Sequence, residues 1–175
     1  KEASGRDNIY VVDTKAVCLA LSLLVHAASL LRAQGKSARD CYGELAALVP
    51  KLRMVAAVDT LEYLVKGGRL SRAAGLVAQT LNVKPLIALE DGQIVSCAKA
   101  RSMKGAIKLV HKLITQQGPA DPRYPVYFAH SLNLDYAGQI RRRFGVEDES
   151  TTVCIGPIVG AHVGLGAVGV AFFAK

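Results

Sequence analysis

The sequence predicts a mixed α/β protein, in which the end of a parallel α/β layer is followed by an α+β domain with a mostly antiparallel sheet. Three observations carry this. The first 58 residues alternate strand, helix, helix, strand, and both strands close on the same corner, Val12-Asp13-Thr14 and Val58-Asp59-Thr60. Two apolar runs then flank Glu90-Asp91-Gly92, a D-G turn of the kind that joins hairpin strands. Beyond the hairpin, helical and strand-like periods succeed one another to a hydrophobic last strand. There is no repeat of solenoid length and no low-complexity tract.

Residues 9–12 are a short β-branched run read as a strand, and Asp13-Thr14 can cap the helix after it. That helix is expected over residues 15–34, stopped by Gly35. Ser37 caps a second helix ending near Pro50, and residues 54–58 form the next strand. Two strands cannot build a parallel layer, because such a layer needs both faces covered. Residues 1–58 therefore read as the C-terminal part of a first parallel α/β domain whose N-terminal part is absent, and residues 59–175 as the second domain.

In that second domain, residues 61–65 form a short helix broken by Gly67-Gly68. Residues 71–81 form another, with Leu70, Ala73, Ala74, Val77 and Leu81 as its apolar stripe. The hairpin strands are residues 84–89 and 93–98. Residues 102–117 make a long amphipathic helix stopped by Gly118-Pro119. Strands at 126–129, 151–155 and 167–174 and a helix at 134–144 complete the chain.

Composition excludes several classes. Of the 175 residues, 51% are hydrophobic and 21% charged, which is globular rather than disordered. The longest apolar stretch, residues 16–31, is interrupted by Ser22, His26 and Ser29, so it reads as a buried helix and not a membrane span. Residues 1–7 are charged, unlike a signal peptide, and a start without Met suggests a processed, cleaved or truncated product. Cys18, Cys41, Cys97 and Cys154 lie far apart in apolar settings with no C-x-x-C pair. Buried thiols in a reducing cytoplasm are expected, and no metal site. The net charge of +8 points to acidic partners, yet only Arg141-Arg142-Arg143 forms a run. With 6% aromatic residues and none interleaved with that run, nucleic-acid binding is not expected.

Two segments carry chemistry. Residues 155–171 place Gly156, Gly160, Gly164, Gly166 and Gly169 around a single histidine, His162. Such glycines let backbone approach a ligand, successive amides can cradle an anion, and the imidazole adds a donor. Because a strand follows, this is not a dinucleotide-binding G-x-G-x-x-G. Taken alone, a glycine-rich turn between two strands is more often structural, and a lone histidine is more often a satisfied polar group than a ligand. In residues 58–71, Gly67-Gly68 ends a helix and Arg69 emerges beside it. Arginine suits a carboxylate held through two parallel hydrogen bonds, and it also suits the last carbonyls of a helix.

Taken in order, D-T-L-E-Y-L-V-K-G-G-R-L-S (residues 59–71), N-V-K-P-L-I-A-L-E-D-G (82–92) and I-G-P-I-V-G-A-H-V-G-L-G-A-V-G (155–169) strongly resemble the DegV family, over residues 9–173. The resemblance implies a DegV-like two-domain α/β protein with a long-chain fatty acid buried between the domains. It implies a carrier with no chemistry or cofactor of its own, passing the carboxylate to a fatty acid kinase that makes the acyl phosphate. On this resemblance His162 and Arg69 hold the carboxylate with Gly160 and Ala161 beside them, and Arg72 and Arg101 meet the kinase. A transient contact with a membrane surface is also implied.

The chain departs from the family pattern. The D-S-x-x-D-like start and the serine/threonine loop that supplies hydroxyl ligands are missing, Leu165 stands where proline is common, and Asp13-Thr14 replaces the usual D-S. Burying an unpaired carboxylate is costly, so the site is expected to be incomplete without a companion chain carrying the missing region. The alternative is a small-molecule enzyme with His162 as general base. No Ser-His-Asp or Cys-His pattern accompanies it.

Overall fold

The structure is a computed structural model, and it describes residues 4–71 and 83–175. The elements in order are α1 (Leu19–Ala33), α2 (Ala38–Leu48), β1 (Leu52–Ala57), α3 (Glu62–Lys66), β2 (Lys84–Glu90), β3 (Gln93–Ala100) and α4 (Met103–Thr115). They continue as β4 (Tyr127–His130), α5 (Leu134–Arg143), β5 (Thr152–Cys154), α6 (Pro157–Val163) and β6 (Val168–Phe173). The helix expected at 71–81 falls on residues 72–82, outside the described residues.

The described strands form one mixed sheet in the order β3-β2-β1-β6-β4-β5. Every pairing is antiparallel except β4 with β5. β6 is the centre. Its residues are all buried, and they alternate between faces as a strand's period of two requires. Val168, Val170 and Phe172 face α4 and α5, packing with Ile107, Val110, Ile114 and Ile140. Ala171 and Phe173 face α1, packing with Leu19, Leu23 and Leu24. The result is a sheet covered by helices on both sides. No helix among the described residues is long and apolar enough to cross a membrane.

Local chemistry explains most boundaries. Gly35, at φ 77°, stops α1 as expected, and the Lys36 N–H reaches back to Leu31 O. Ser37 caps α2 by accepting from the Asp40 N–H at 3.2 Å, and Ser102 caps α4 by accepting from Gly105 at 3.1 Å. Asp91 and Gly92 both take positive φ, the geometry of a type I′ hairpin turn.

Four expectations are corrected. Residues 9–12 take no regular secondary structure and belong to no ladder among the described residues, and a strand exists only with a partner to bond. Asp13 does not cap a helix at residue 15. Its carboxylate accepts from the Lys15 N–H, and Lys15 and Cys18 take φ of 48° and 56°, outside the helical region, so α1 begins at Leu19. The opening strand–helix–helix–strand order suggests parallel pairing for β1, which instead pairs antiparallel with both β2 and β6. Periodicity identifies extended, buried residues without identifying their neighbours. The cysteines are not uniformly buried: Cys97 and Cys154 are exposed on β3 and β5, the two edge strands. All four are free.

An ion pair between buried Asp121 and exposed Arg123 fastens the loop before β4. Arg123 donates through Nε and Nη2 to the Asp121 carboxylate at 2.6 to 3.1 Å, while the Asp121 N–H bonds Phe173 O at the end of β6. The Arg123 hydrogen bonds hold the Asp121 carboxyl at about 2, below its ordinary 3.8. Because the folded value is depressed, the stabilisation is complete above the ordinary value and is lost as pH falls through about 2. Asp121→Asn should therefore lower stability at neutral pH and flatten its decline below pH 4, measured by urea unfolding across that range.

Candidate functional site

The two segments singled out in the sequence meet in space, because α3 packs against α6. Their contact is reciprocal. The Nδ1–Cε1 edge of His162 lies on Gly67, where an added Cβ would overlap Nδ1 and stand 2.7 Å from Cε1. The ring of Tyr63 lies in the same way on Gly164, where an added Cβ would be 2.7 Å from the ring. Gly164 also takes φ 75°, a conformation glycine adopts without penalty. Gly67 is helical in φ and ψ, so only the close approach of the imidazole demands a glycine there.

Gly67 also anchors Arg69. The guanidinium donates from Nη1 to Gly67 O at 2.6 Å, while the Arg69 N–H bonds Leu64 O and Gly68 turns at φ 72°. Arg69 thus satisfies a terminal helical carbonyl, one of the two readings of the sequence. It is exposed, and with five N–H donors it keeps others for a second partner. The imidazole and the guanidinium are therefore gathered on one glycine.

The segment around His162 is helical, which corrects its reading as a turn between strands. Pro157 opens α6 at the first-turn position where its missing N–H costs nothing. The Gly160 N–H donates to Gly156 O and its carbonyl accepts from Gly164, both at 2.8 Å, so its backbone groups are engaged within the segment. Ala161 is exposed beside it. His162 is half-buried, and neither ring nitrogen has a hydrogen-bond partner among the described residues.

The rim is apolar. Ile158, one helical turn before His162, is 82% exposed, and Leu165, just after α6, is 68% exposed. Leu132 is 77% exposed on the loop whose Ser131 carbonyl accepts from Gly166. Large aliphatic side chains left in water together mark a surface that something covers. On the other side of Gly68 and Arg69, an open groove of about 1040 Å³ runs along β3, with Val65, Leu70, Ile94 and Val95 in its walls.

Tyr63 and the exposed aliphatic residues went unnoticed in the sequence. The signal for Tyr63 was present, since each segment pairs a ring with a glycine. Arg101 is exposed just past β3, and Arg72 lies outside the described residues. Among the described residues no group of histidine, cysteine and carboxylate side chains could hold a metal ion.

The family model described as an uncharacterised protein of the DegV family matches residues 1–175. A DegV domain-containing protein of Clostridium perfringens is 31% identical over 170 residues, which is 94% of this chain and 58% of the relative. A solved DegV family protein from Thermus thermophilus, described by its fatty acid binding, is 28% identical with a TM-score of 0.85, over 99% of this chain and 63% of that one. The fatty acid kinase B3 protein of Streptococcus pneumoniae, solved loaded with linoleic acid, shares the fold at 21% identity and a TM-score of 0.87, with the same coverage. The chain spans about three-fifths of the length of these relatives.

Proposed function

Because this chain belongs to the DegV family, we propose that it works as a fatty acid carrier, holding the ligand's carboxylate at His162 and Arg69 and its acyl chain against the apolar surface beside them. The observation that carries this is the half-buried imidazole, without a hydrogen-bond partner among the described residues, gathered with a guanidinium on Gly67 inside an aliphatic rim. A polar head beside exposed Ile158, Leu165 and Leu132 suits an amphiphile with one anionic end. The fatty acid binding of the Thermus thermophilus relative and the linoleic acid of the Streptococcus pneumoniae relative support the choice of ligand.

The carboxylate is then presented to a separate fatty acid kinase, and acyl phosphate forms there rather than on this chain. Arg101 is exposed and in no ion pair among the described residues, as a docking residue requires, and Arg72 is proposed as its companion. The cytoplasm is the proposed place of action. The apolar rim is covered by the two-fifths of the relatives' length that this chain does not span, whether in the same polypeptide or in a companion chain. Against the general-base reading, no carboxylate among the described residues bonds His162 to orient it.

Solvent extraction of the purified protein with its covering region, followed by mass spectrometry, should yield one long-chain fatty acid per protein. His162→Ala should lower its retention by about 10- to 100-fold, the loss expected for one hydrogen bond to a charged group. Arg101→Ala should lower acyl phosphate formation and leave the pocket filled. An extract without fatty acid contradicts the carrier, and unchanged retention in His162→Ala removes that residue from the site.

A further inference from the structure

Four non-glycine residues among those described take positive φ: Lys15, Cys18, Asp91 and Leu132. Asp91 sits in a hairpin turn that calls for such an angle, and aspartate is one of the few side chains that tolerate it. Neither holds for Leu132, at φ 54° between β4 and α5. A bulky aliphatic residue is disfavoured in that region, where glycine or asparagine fits more easily. The same side chain is 77% exposed, so burial does not offset the strain. A singly exposed leucine needs no explanation, whereas a strained and exposed one does.

The backbone on either side is held firmly enough to impose the angle. Buried Ser131 donates its N–H to Ala167 O at 2.8 Å, and its carbonyl accepts from the Gly166 N–H at 2.9 Å. Asn133 donates its N–H to His130 Nδ1 at 3.2 Å, and its side chain caps α5 by accepting from the Tyr136 N–H, also at 3.2 Å. Four hydrogen bonds thus bracket one residue, and strain of this kind persists only where its surroundings over-determine it. The bracket also fixes the place. Gly166 directly follows exposed Leu165 and lies four residues after His162, so Leu132 is fastened to the segment that carries the apolar rim.

We propose that Leu132 is held in this strained conformation so that its side chain meets the acyl chain of the bound fatty acid. This rests on the carrier reading above and adds a specificity-determining residue to it. An acyl chain offers no hydrogen bond, so apolar contacts alone set its position. A leucine locked in advance gives up no backbone freedom when the ligand arrives, whereas the same side chain on a loose turn would. The covering region is the other surface that could take this side chain, and it predicts the opposite sign for one measurement. A leucine packed against that region would stabilise the ligand-free protein. A leucine reserved for the ligand leaves its strain unrelieved until fatty acid binds.

The test compares Leu132→Gly with the parent protein, both with the covering region, by urea unfolding after delipidation and by titration with palmitate. Glycine relieves the positive φ, so the ligand-free midpoint should rise by about 0.3 M. Palmitate affinity should fall by about 10- to 100-fold, the loss expected for one buried leucine side chain. Leu132→Asn also tolerates the angle without glycine's added freedom, and it should show the same fall with a midpoint at or above the parent's. Leu132→Met keeps an apolar side chain and should restore most of the affinity lost in Leu132→Asn. A lower ligand-free midpoint in both Leu132→Gly and Leu132→Asn assigns the side chain to the covering region and overturns the proposal. Unchanged palmitate affinity in those two variants overturns it as well and leaves the carrier standing. A parent protein that takes up no palmitate refutes the carrier and this inference with it.

Discussion

Gly67→Ala is expected to empty the fatty acid site while leaving the fold in place. The methyl group must occupy the space now held by the Nδ1–Cε1 edge of His162. Two responses are open to the chain. The imidazole can swing off α3, which takes it away from Arg69, or α3 and α6 can separate. The ring moves more cheaply, because it is half-buried and no hydrogen bond among the described residues holds it. Overpacking of this kind costs about 1–3 kcal/mol, a cost shared between the strained contact and the lost ligand geometry. Retention should therefore fall at least as far as in His162→Ala, while the urea midpoint moves modestly. Gly67→Ala/His162→Ala separates the two effects. It should regain stability relative to Gly67→Ala, because the clash is gone, and regain no ligand. Full retention of fatty acid in Gly67→Ala would show that the imidazole position is irrelevant to binding.

Phe172→Ala should produce the largest loss of stability. Phe172 is 2% exposed in the central strand β6, and its ring packs on the α4/α5 face of the sheet with Phe144, whose centroid is 6.3 Å away. Truncation removes most of a buried aromatic side chain and leaves a cavity between rigid layers, a change that costs about 3–5 kcal/mol. Total stabilities of such domains are about 5–15 kcal/mol, so the variant should unfold at far lower urea concentration. An unchanged slope of the unfolding curve would show that the loss comes from the folded core. A loss under about 1 kcal/mol would mean the layers close around the gap, contrary to close packing on both sides of β6.

Local chemistry in the sequence foretold most of the elements. Ser37, Gly35 and Asp91-Gly92 act where the sequence placed them, because capping and tight turns depend on a few adjacent atoms. The misreadings arose where distant residues decide. Residues 9–12 have the composition of a strand but no described partner. The neighbours of β1 were invisible because alternation shows which face is buried and not which strand lies alongside. The glycines of residues 156–169 suggested a turn, yet Pro157 starts a helix there, and a short helix tolerates glycine when packing holds it. The site was half legible. His162 and Arg69 stood out by residue type, whereas their meeting at Gly67 depends on α3 docking against α6 across about 90 residues of chain.

The central claim is that the imidazole of His162 meets the carboxylate of a bound fatty acid. Carbon-13 NMR of carboxyl-labelled palmitate, titrated on the protein with its covering region present, tests it most directly. Positive charge from Arg69 beside a hydrogen-bonding imidazole should keep the carboxylate ionised to lower pH than in vesicles, and His162→Ala should shift the resonance and raise its titration. A bound carboxyl that titrates identically in both proteins would place the head group elsewhere and contradict the site.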